Sequence, residues 1–198
     1  MEKSISLKDT TNLLINLEKD NDNLKNSADV LGGLGIPFDR FNAIEHSLGI
    51  VGCGLSHLSL MKTIKPNTLI LEDDIKATDK VEIDIKYPEE ADAIYLGVSN
   101  HGYIRSHPTQ GFRGVVLASQ YTSRWKRVLN MCSTHAILYL SERYIKAVSS
   151  KIEYCVHNGI AFDVGIASLH KDFIVLTPND PGFYQTDQPN FTNLSLQV

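Results

Sequence analysis

The stretch Thr68-Leu69-Ile70-Leu71-Glu72-Asp73-Asp74-Ile75 decides the fold, because an apolar run breaks directly into three carboxylates. A short apolar run of this kind predicts a strand buried in a parallel sheet. Three adjacent acids at its carboxyl end repel one another unless a cation or a proton lies among them. Open α/β sheets bind ligands at that edge, and carboxylate oxygens suit Mg²⁺ or Mn²⁺ bridged to substrate phosphates. The sequence therefore predicts that Glu72, Asp73 and Asp74 bind a divalent metal that holds a diphosphate; the alternative is a solvated acidic loop.

Predicted strands and helices alternate along the chain. The strands are predicted at 11–17, 36–43, 67–73, 92–97, 135–140 and 172–177, and the helices at 21–34, 51–64, 141–151 and 160–169. This alternation predicts an α/β fold with a mainly parallel sheet and helices on both faces. All these strands are then expected to end at one edge of the sheet, where the site should lie.

Length and composition indicate one compact domain. The chain has 198 residues, enough for one well-buried core and short for two, and it contains no repeat or glycine-serine linker. It has no run of eighteen apolar residues and no basic-then-apolar leader, so neither secretion nor membrane insertion is expected. The cysteines, Cys53, Cys132 and Cys155, form no Cys-x-x-Cys pair, which indicates neither a disulfide framework nor a zinc site. A reducing cytoplasm is the expected location.

Five motifs follow one another across most of the chain. They are LLINLEKD (Leu13 to Asp20), LGIPFDRFNAI (Leu34 to Ile44), GCGLSHLSLMKTI (Gly52 to Ile64), LILEDDI (Leu69 to Ile75) and THAILYLSERYIKAV (Thr134 to Val148). With these motifs in this order, residues 11–190 resemble glycosyltransferase family 25, which includes lipooligosaccharide and collagen galactosyltransferases. The resemblance implies a GT-A fold of Rossmann-like type, a nucleotide-sugar donor such as a UDP-sugar, a Mn²⁺ or Mg²⁺ ion, and inversion at the anomeric carbon.

The resemblance also implies roles for individual residues. Asp163 matches an aspartate expected to take the proton from the acceptor hydroxyl, although a first-turn acid favoured by the helix dipole is the alternative. His57 is expected either to orient the acidic loop or to contact the donor sugar, unless it is a structural core histidine. Asn16, Leu17 and Lys19 follow the first strand, where GT-A enzymes bind the nucleotide.

The end of the chain resembles the closing segment of the family. Residues 178–198 contain Gln185 and are expected to fold over the donor, anchored by the aromatic residues around it. A disordered polar tail is the alternative. His170, near the end of the preceding predicted helix, is a weaker candidate for a third metal ligand, since a histidine there is equally explained by the helix dipole.

An acid-free segment is the second distinctive feature. No Asp or Glu occurs from Ala93 to Ser141, within an overall net charge of −4. Its basic residues are Arg105, Arg113, Arg124, Lys126 and Arg127. Residues 93–134 are therefore predicted to form a basic loop or insertion over the active face that binds an anionic acceptor, either a phosphorylated saccharide or DNA. The alternative is a solvated loop whose aromatic residues pack on the sheet.

Three functions remain open from the sequence. The first is a cytoplasmic, metal-dependent glycosyltransferase that extends a surface saccharide such as lipopolysaccharide. The second is a phage-type enzyme that glycosylates 5-hydroxymethylated pyrimidines of DNA in the host cytoplasm. The third is a non-catalytic protein that binds nucleotide-sugars. The sequence determines neither the donor sugar nor the oligomeric state.

Overall fold

The computed structural model describes residues 1–102 and 116–186. The helices in these ranges are α1 (Asn21–Leu34), α2 (Gly49–Met61), α3 (Glu142–His157) and α4 (Phe162–Ala167). The strands are β1 (Glu2–Ser6), β2 (Thr11–Asn16), β3 (Asp39–Asn42), β4 (Thr68–Glu72), β5 (Ile75–Ala77), β6 (Asp84–Pro88), β7 (Ala93–Tyr95), β8 (Leu117–Gln120), β9 (Trp125–Asn130), β10 (Ala136–Tyr139), β11 (Val175–Pro178) and β12 (Phe183–Gln185). Every predicted helix and strand is confirmed, although several ends differ. None of the helices in the described ranges is long and apolar enough to cross a membrane.

A central sheet of eight strands organises the described chain, in the order β3-β2-β4-β10-β7-β11-β9-β8. Strand β2 pairs in parallel with both β3 and β4, and β11 pairs in parallel with β7. Strand β10 runs antiparallel between β4 and β7, with Ala136 opposite Leu71. The α/β fold class is thus confirmed, with a mixed sheet. The expectation that all predicted strands end at one edge is wrong for β10, which begins at the edge where β2 and β4 end.

Helices and short strands cover the two faces of this sheet. One apolar cluster joins the sheet to α2, α3 and α4, and a second joins it to α1, β5, β6 and β12. Alternation along β4 places Ile70 in the first cluster and Leu69 and Leu71 in the second. Glu72 follows with the same parity as Ile70, and its side chain therefore points toward α2.

The acid-free segment is partly sheet. Strands β8 and β9 pair as an antiparallel hairpin, and β9 adds to β11 at the end of the central sheet. Within the segment 93–134, residues 117–120 and 125–130 are thus strands of the central sheet rather than loop. Charged side chains are common on strands at the end of a sheet, so a basic composition did not exclude strands there. Residues 103–115 and the tail residues 187–198 lie outside the described chain.

Candidate functional site

The three predicted acidic residues lie where β4 leaves the sheet. Strand β4 ends at Glu72, and Asp73 and Asp74 form a turn before β5 begins. These three residues are called the acidic turn below. Because the chain has already turned, the three carboxylates do not alternate as they would in a strand, and each one meets a different part of the fold.

Glu72 is held from the side of α2 and β10. Its Oε1 accepts a hydrogen bond from Thr134 Oγ1 at 2.6 Å and lies 3.0 Å from His57 Nε2. The Cys53 thiol approaches the same oxygen at 3.9 Å. Burial works to raise the pKa of Glu72, but the bonds from His57 and Thr134 outweigh it, so the pKa lies below its ordinary value. Glu72 is therefore an ionised carboxylate near neutral pH.

Asp73 is held from the side of β2 and α1. Asn16 Nδ2 donates to Asp73 Oδ2 at 2.5 Å, and Ser27 Oγ donates to the Asp73 backbone oxygen at 2.6 Å. Burial raises the pKa of the Asp73 carboxyl group, and the bond from Asn16 offsets part of that effect. Ser27 is fully buried. The first helix thus fixes the backbone of the turn, and the end of β2 fixes its side chain.

Asp74 is held by β12, near the end of the described chain. Gln185 Nε2 donates to Asp74 Oδ2 at 3.0 Å, and Thr186 donates twice to the Asp74 backbone oxygen. Asp74 Oδ1 is shielded from solvent and has no hydrogen-bond donor among the described residues. Burial, and next the charge of Glu72, raise the pKa of Asp74 to about 7. Asp74 is thus the residue of the acidic turn whose negative charge most needs a proton or a cation to balance it.

A cleft of about 510 Å³ joins the acidic turn to the end of β2. Asn16, Leu17 and Lys19, which were predicted to bind nucleotide, line this cleft together with all three acids. The opposite wall is the start of α2, where Gly52 leaves no room for a side chain: an added Cβ would lie 2.6 Å from the Ile44 backbone oxygen. The structure therefore brings the predicted nucleotide residues and the predicted metal residues into one site.

Lys19 lies at the rim of this cleft. Its ammonium group forms an ion pair of 2.5 Å with Glu45, and both side chains are mostly exposed. The pair raises the pKa of Lys19 through the hydrogen bond and the charge of Glu45. Exposed pairs of this kind contribute little to stability, so the pair can open for a ligand.

Asp163 lies in the first turn of α4, where its Oδ1 accepts a hydrogen bond from the Val164 backbone N–H at 2.8 Å, and it is not in the lining of the cleft. The ring of the preceding residue, Phe162, lies 5.1 Å from the ring of His57. Gly54 of α2 makes this packing possible, because a Cβ there would lie 3.3 Å from the Phe162 ring. Burial raises the pKa of Asp163; the charge of Glu72 adds to the increase, whereas His101 opposes it. Asp163 is thus within electrostatic reach of both Glu72 and His101.

The two histidines singled out from the sequence are both fully buried. His57 bonds Glu72, so of its two expected roles the contacts match orientation of the acidic turn, and its burial leaves no surface for a donor sugar. His170 Nε2 lies 3.0 Å from the Tyr95 hydroxyl, and burial lowers its pKa to about 3. The expectation that His170 is a metal ligand is wrong, because its side chain is enclosed in the core with a tyrosine.

Sequence reasoning missed Thr134 and Ser27, which hold the acidic turn by single hydroxyl groups. Thr134 immediately precedes a predicted strand, but only the antiparallel direction of β10 brings it to the acids. Cys53 was assigned no role beyond that of a buried thiol. Its sulfur and the ligand atoms of His57 and Glu72 all lie within 4.8 Å of one another.

The described basic residues of the acid-free segment have partners of their own. Arg124 pairs with Glu82 at 2.7 Å, and Arg127 donates to the backbone oxygens of Lys171 and Phe173. Lys126 is only 7% exposed. Strand β9, which carries two of them, is four strands from β4, or roughly 19 Å at the usual strand spacing. These three residues are therefore engaged within the fold and distant from the acidic turn, while Arg105 and Arg113 lie outside the described chain.

The residues of the acidic turn fit the predicted cation. They offer only oxygen donors, which suit Mg²⁺ and Mn²⁺, and Asp74 Oδ1 is a buried oxygen without a donor. A cation at this point would also relieve the repulsion that raises the pKa of Asp74. No protein-family model matches this chain, and no curated protein is significantly similar to it.

Proposed function

We propose that this protein is a metal-dependent glycosyltransferase that moves a sugar from a nucleotide-sugar, such as a UDP-sugar, to an acceptor hydroxyl. The observation that carries the proposal is the single cleft shared by Asn16, Leu17 and Lys19 with the acidic turn. Its volume of about 510 Å³ lies within the range of small-molecule sites. The resemblance to glycosyltransferase family 25, with its GT-A fold and inverting chemistry, is consistent with this arrangement.

In this proposal the acidic turn binds the nucleotide-sugar donor through the metal ion. Asp73 and Asp74 would hold the Mn²⁺ or Mg²⁺ ion, which when bound offsets the charge of the departing diphosphate. Glu72, anchored by Thr134 and His57, keeps a negative charge at the floor of the cleft. Gln185 of β12 donates a hydrogen bond to Asp74 and so helps to position that carboxylate.

In this proposal Asp163 is the general base for the acceptor hydroxyl. A general base works best when its pKa lies near the operating pH, and burial moves the pKa of Asp163 upward in that direction. In this role Asp163 accepts the proton of the acceptor hydroxyl while that oxygen attacks the anomeric carbon. The proton then resides on the Asp163 carboxyl group, and the nucleoside diphosphate leaves with the bonding electron pair.

A surface saccharide such as lipopolysaccharide is the acceptor we favour. The engagement of Arg124, Lys126 and Arg127 within the fold bears on both anionic acceptors alike, whereas the net charge of −4 and the family resemblance favour the saccharide over DNA. A non-catalytic nucleotide-sugar-binding protein would have no use for an acid such as Asp163 held beside the cleft with a raised pKa.

The test is a transfer assay with labelled UDP-hexoses and UDP-pentoses in Mn²⁺. Two acceptors are compared in parallel at low and high salt: a phosphorylated saccharide and duplex DNA containing 5-hydroxymethylcytosine. Labelling of the saccharide supports the proposal, and labelling of DNA alone overturns the choice of acceptor. If nucleotide binds but neither acceptor is labelled and no sugar is released, the protein is a binding protein.

A further inference from the structure

Two buried asparagines of β2, Asn12 and Asn16, differ in the hydrogen bonding of their side-chain oxygens. Asn12 is 3% exposed and fully bonded: its Nδ2 donates to the backbone oxygens of Leu7 and Pro37, and its Oδ1 accepts from Thr10 at 2.6 Å. Asn16 is 1% exposed, yet its Oδ1 has no donor among the described residues. A buried carbonyl oxygen without a donor is unfavourable, and a bound ligand is one partner that can satisfy it.

The orientation of the Asn16 amide is fixed by its neighbours. Nδ2 donates to Asp73 Oδ2 at 2.5 Å and to the Asp20 backbone oxygen at 2.9 Å. Both partners are acceptors, so the amide cannot be reversed without placing oxygen against oxygen. The carbonyl oxygen Oδ1 is thus assigned by these two bonds, and Asn16 lines the cleft.

A second residue of the same cleft also carries a buried oxygen without a donor among the described residues. Asp74 Oδ1 is buried and unpartnered within the described chain, and Asp74 lines the same cleft as Asn16. Asp73 connects the two, since it is bonded to Asn16 and adjacent to Asp74. Amide and carboxylate oxygens are both ligands of Mg²⁺ and Mn²⁺.

We propose that Asn16 Oδ1 is an inner-sphere ligand of the divalent cation, beside Asp73 and Asp74, rather than a contact to the nucleotide. This inference rests on the proposed function only for the presence of the cation. It gives Asn16 two tasks, since the amide nitrogen positions Asp73 while the amide oxygen binds the metal.

The experiment measures Mn²⁺ binding to the purified protein without nucleotide, by the electron paramagnetic resonance signal of free Mn²⁺. Asn16→Ala is expected to weaken Mn²⁺ affinity about tenfold or more, a loss typical of a group that binds or supports a metal. Asn12→Ala is the matched control, because it removes an equally buried asparagine of the same strand away from the cleft. Its Mn²⁺ affinity should equal that of the wild type.

A spectroscopic signature separates a ligand from a positioning residue. Protein labelled with ¹³C at the asparagine side-chain carbonyl should show a ¹³C hyperfine coupling to bound Mn²⁺ in electron–nuclear double resonance. The coupling should persist in Asn12→Ala and disappear in Asn16→Ala with Mn²⁺ added to saturation. If Asn16→Ala does not fold, the wild-type spectrum still decides, because a spectrum without coupling overturns the proposal.

The remaining outcomes are also decisive. Weaker Mn²⁺ binding by Asn16→Ala with no ¹³C coupling in the wild type would mean that Asn16 only positions Asp73. A loss of nucleotide affinity with unchanged Mn²⁺ affinity would assign Oδ1 to the nucleotide; either result overturns the proposal. If wild-type protein binds no Mn²⁺ without nucleotide, this inference is overturned, and UDP is then added to test the proposed function separately. Mn²⁺ that binds only with UDP leaves that function standing, and Mn²⁺ that binds in neither case contradicts it.

Discussion

Gln185 binds Asp74 across 111 residues of chain: the Gln185 amide donates to the Asp74 carboxylate at 3.0 Å. The bond is part of the pairing of β12 with β5, in which Gln185 lies opposite Ile75. Asn16 holds the neighbouring Asp73 from 57 residues away in the other direction. The acidic turn is thus held by both ends of the described chain, and its geometry depends on complete folding.

Replacing Gln185 by glutamate should make the folded protein depend on a divalent cation. A second carboxylate would face Asp74, and like charges at this distance in a partly buried site repel strongly. We expect Gln185→Glu to melt at a lower temperature than wild type in EDTA and to recover most of the difference in Mn²⁺. Gln185→Met, which loses the bond without adding charge, should recover little. Equal cation responses of the two variants would contradict this interpretation.

Without metal, Asp74→Asn should stabilise the protein at neutral and alkaline pH. The pKa of Asp74 is about 7 in the fold against 3.8 ordinarily, so the native state retains a proton that the unfolded chain releases. The free energy of unfolding contributed by this group therefore falls as pH rises from about 4 to about 7. Relative to wild type, the variant should gain up to about 4 kcal/mol at pH 8, because the shift is about three pKa units and each unit is worth about 1.4 kcal/mol.

That comparison is made by chemical denaturation in EDTA at pH 5 and at pH 8. Buried His135 and His170 have lowered pKa values, so they destabilise the fold as pH falls below their ordinary value of 6.5. Both proteins contain them, and their effect cancels in the difference. An Asp74→Asn difference that is the same at pH 5 and pH 8 would show that Asp74 titrates normally.

The main elements of the fold could be predicted because they are long or strongly patterned. The helix predicted at 21–34 is α1 itself, and the apolar run before Glu72 is β4. Strands β5 and β12 have three residues each and form a small two-stranded sheet, so no local period identifies them. Their pairing is a long-range event, and a single sequence contains no direct sign of it.

The three acids of the candidate site could be predicted from the sequence, whereas the residues that hold them in place could not. Glu72, Asp73 and Asp74 are consecutive, and their position after an apolar run predicted that they lie at the end of a buried strand. Thr134 reaches Glu72 only because β10 runs antiparallel to β4, and strand direction is set by topology rather than by composition. The hydrogen bonds of Arg127 could not be predicted either, because they go to backbone oxygens that only the folded chain brings close to it.

Thr134→Val should destabilise the protein through Glu72. The valine keeps the shape of threonine but removes a 2.6 Å hydrogen bond to a partly buried carboxylate. Bonds to charged groups contribute about 1.5–3 kcal/mol, and urea denaturation at pH 7.5 should show a loss of that order. Thr134→Ser keeps the hydroxyl group and should lose less. A valine variant as stable as the serine variant would mean that the bond adds nothing to stability.

Asp163→Asn should slow transfer by about two to four orders of magnitude, the contribution usual for a positioned base. Single-turnover rates measure the chemical step, and calorimetric titration measures nucleotide affinity. The affinity should be unchanged, because Asp163 does not line the donor cleft. A parallel collapse of rate and nucleotide affinity would place Asp163 in the donor site instead.

The most direct test of metal-dependent sugar transfer is the release of UDP from UDP-sugars, which needs no knowledge of the acceptor because water can replace it slowly. Wild-type protein should release UDP in Mn²⁺ and stop in EDTA, and Asp74→Asn should release none above background while remaining folded. Release that continues in EDTA, or that Asp74→Asn sustains at the wild-type rate, would contradict the account.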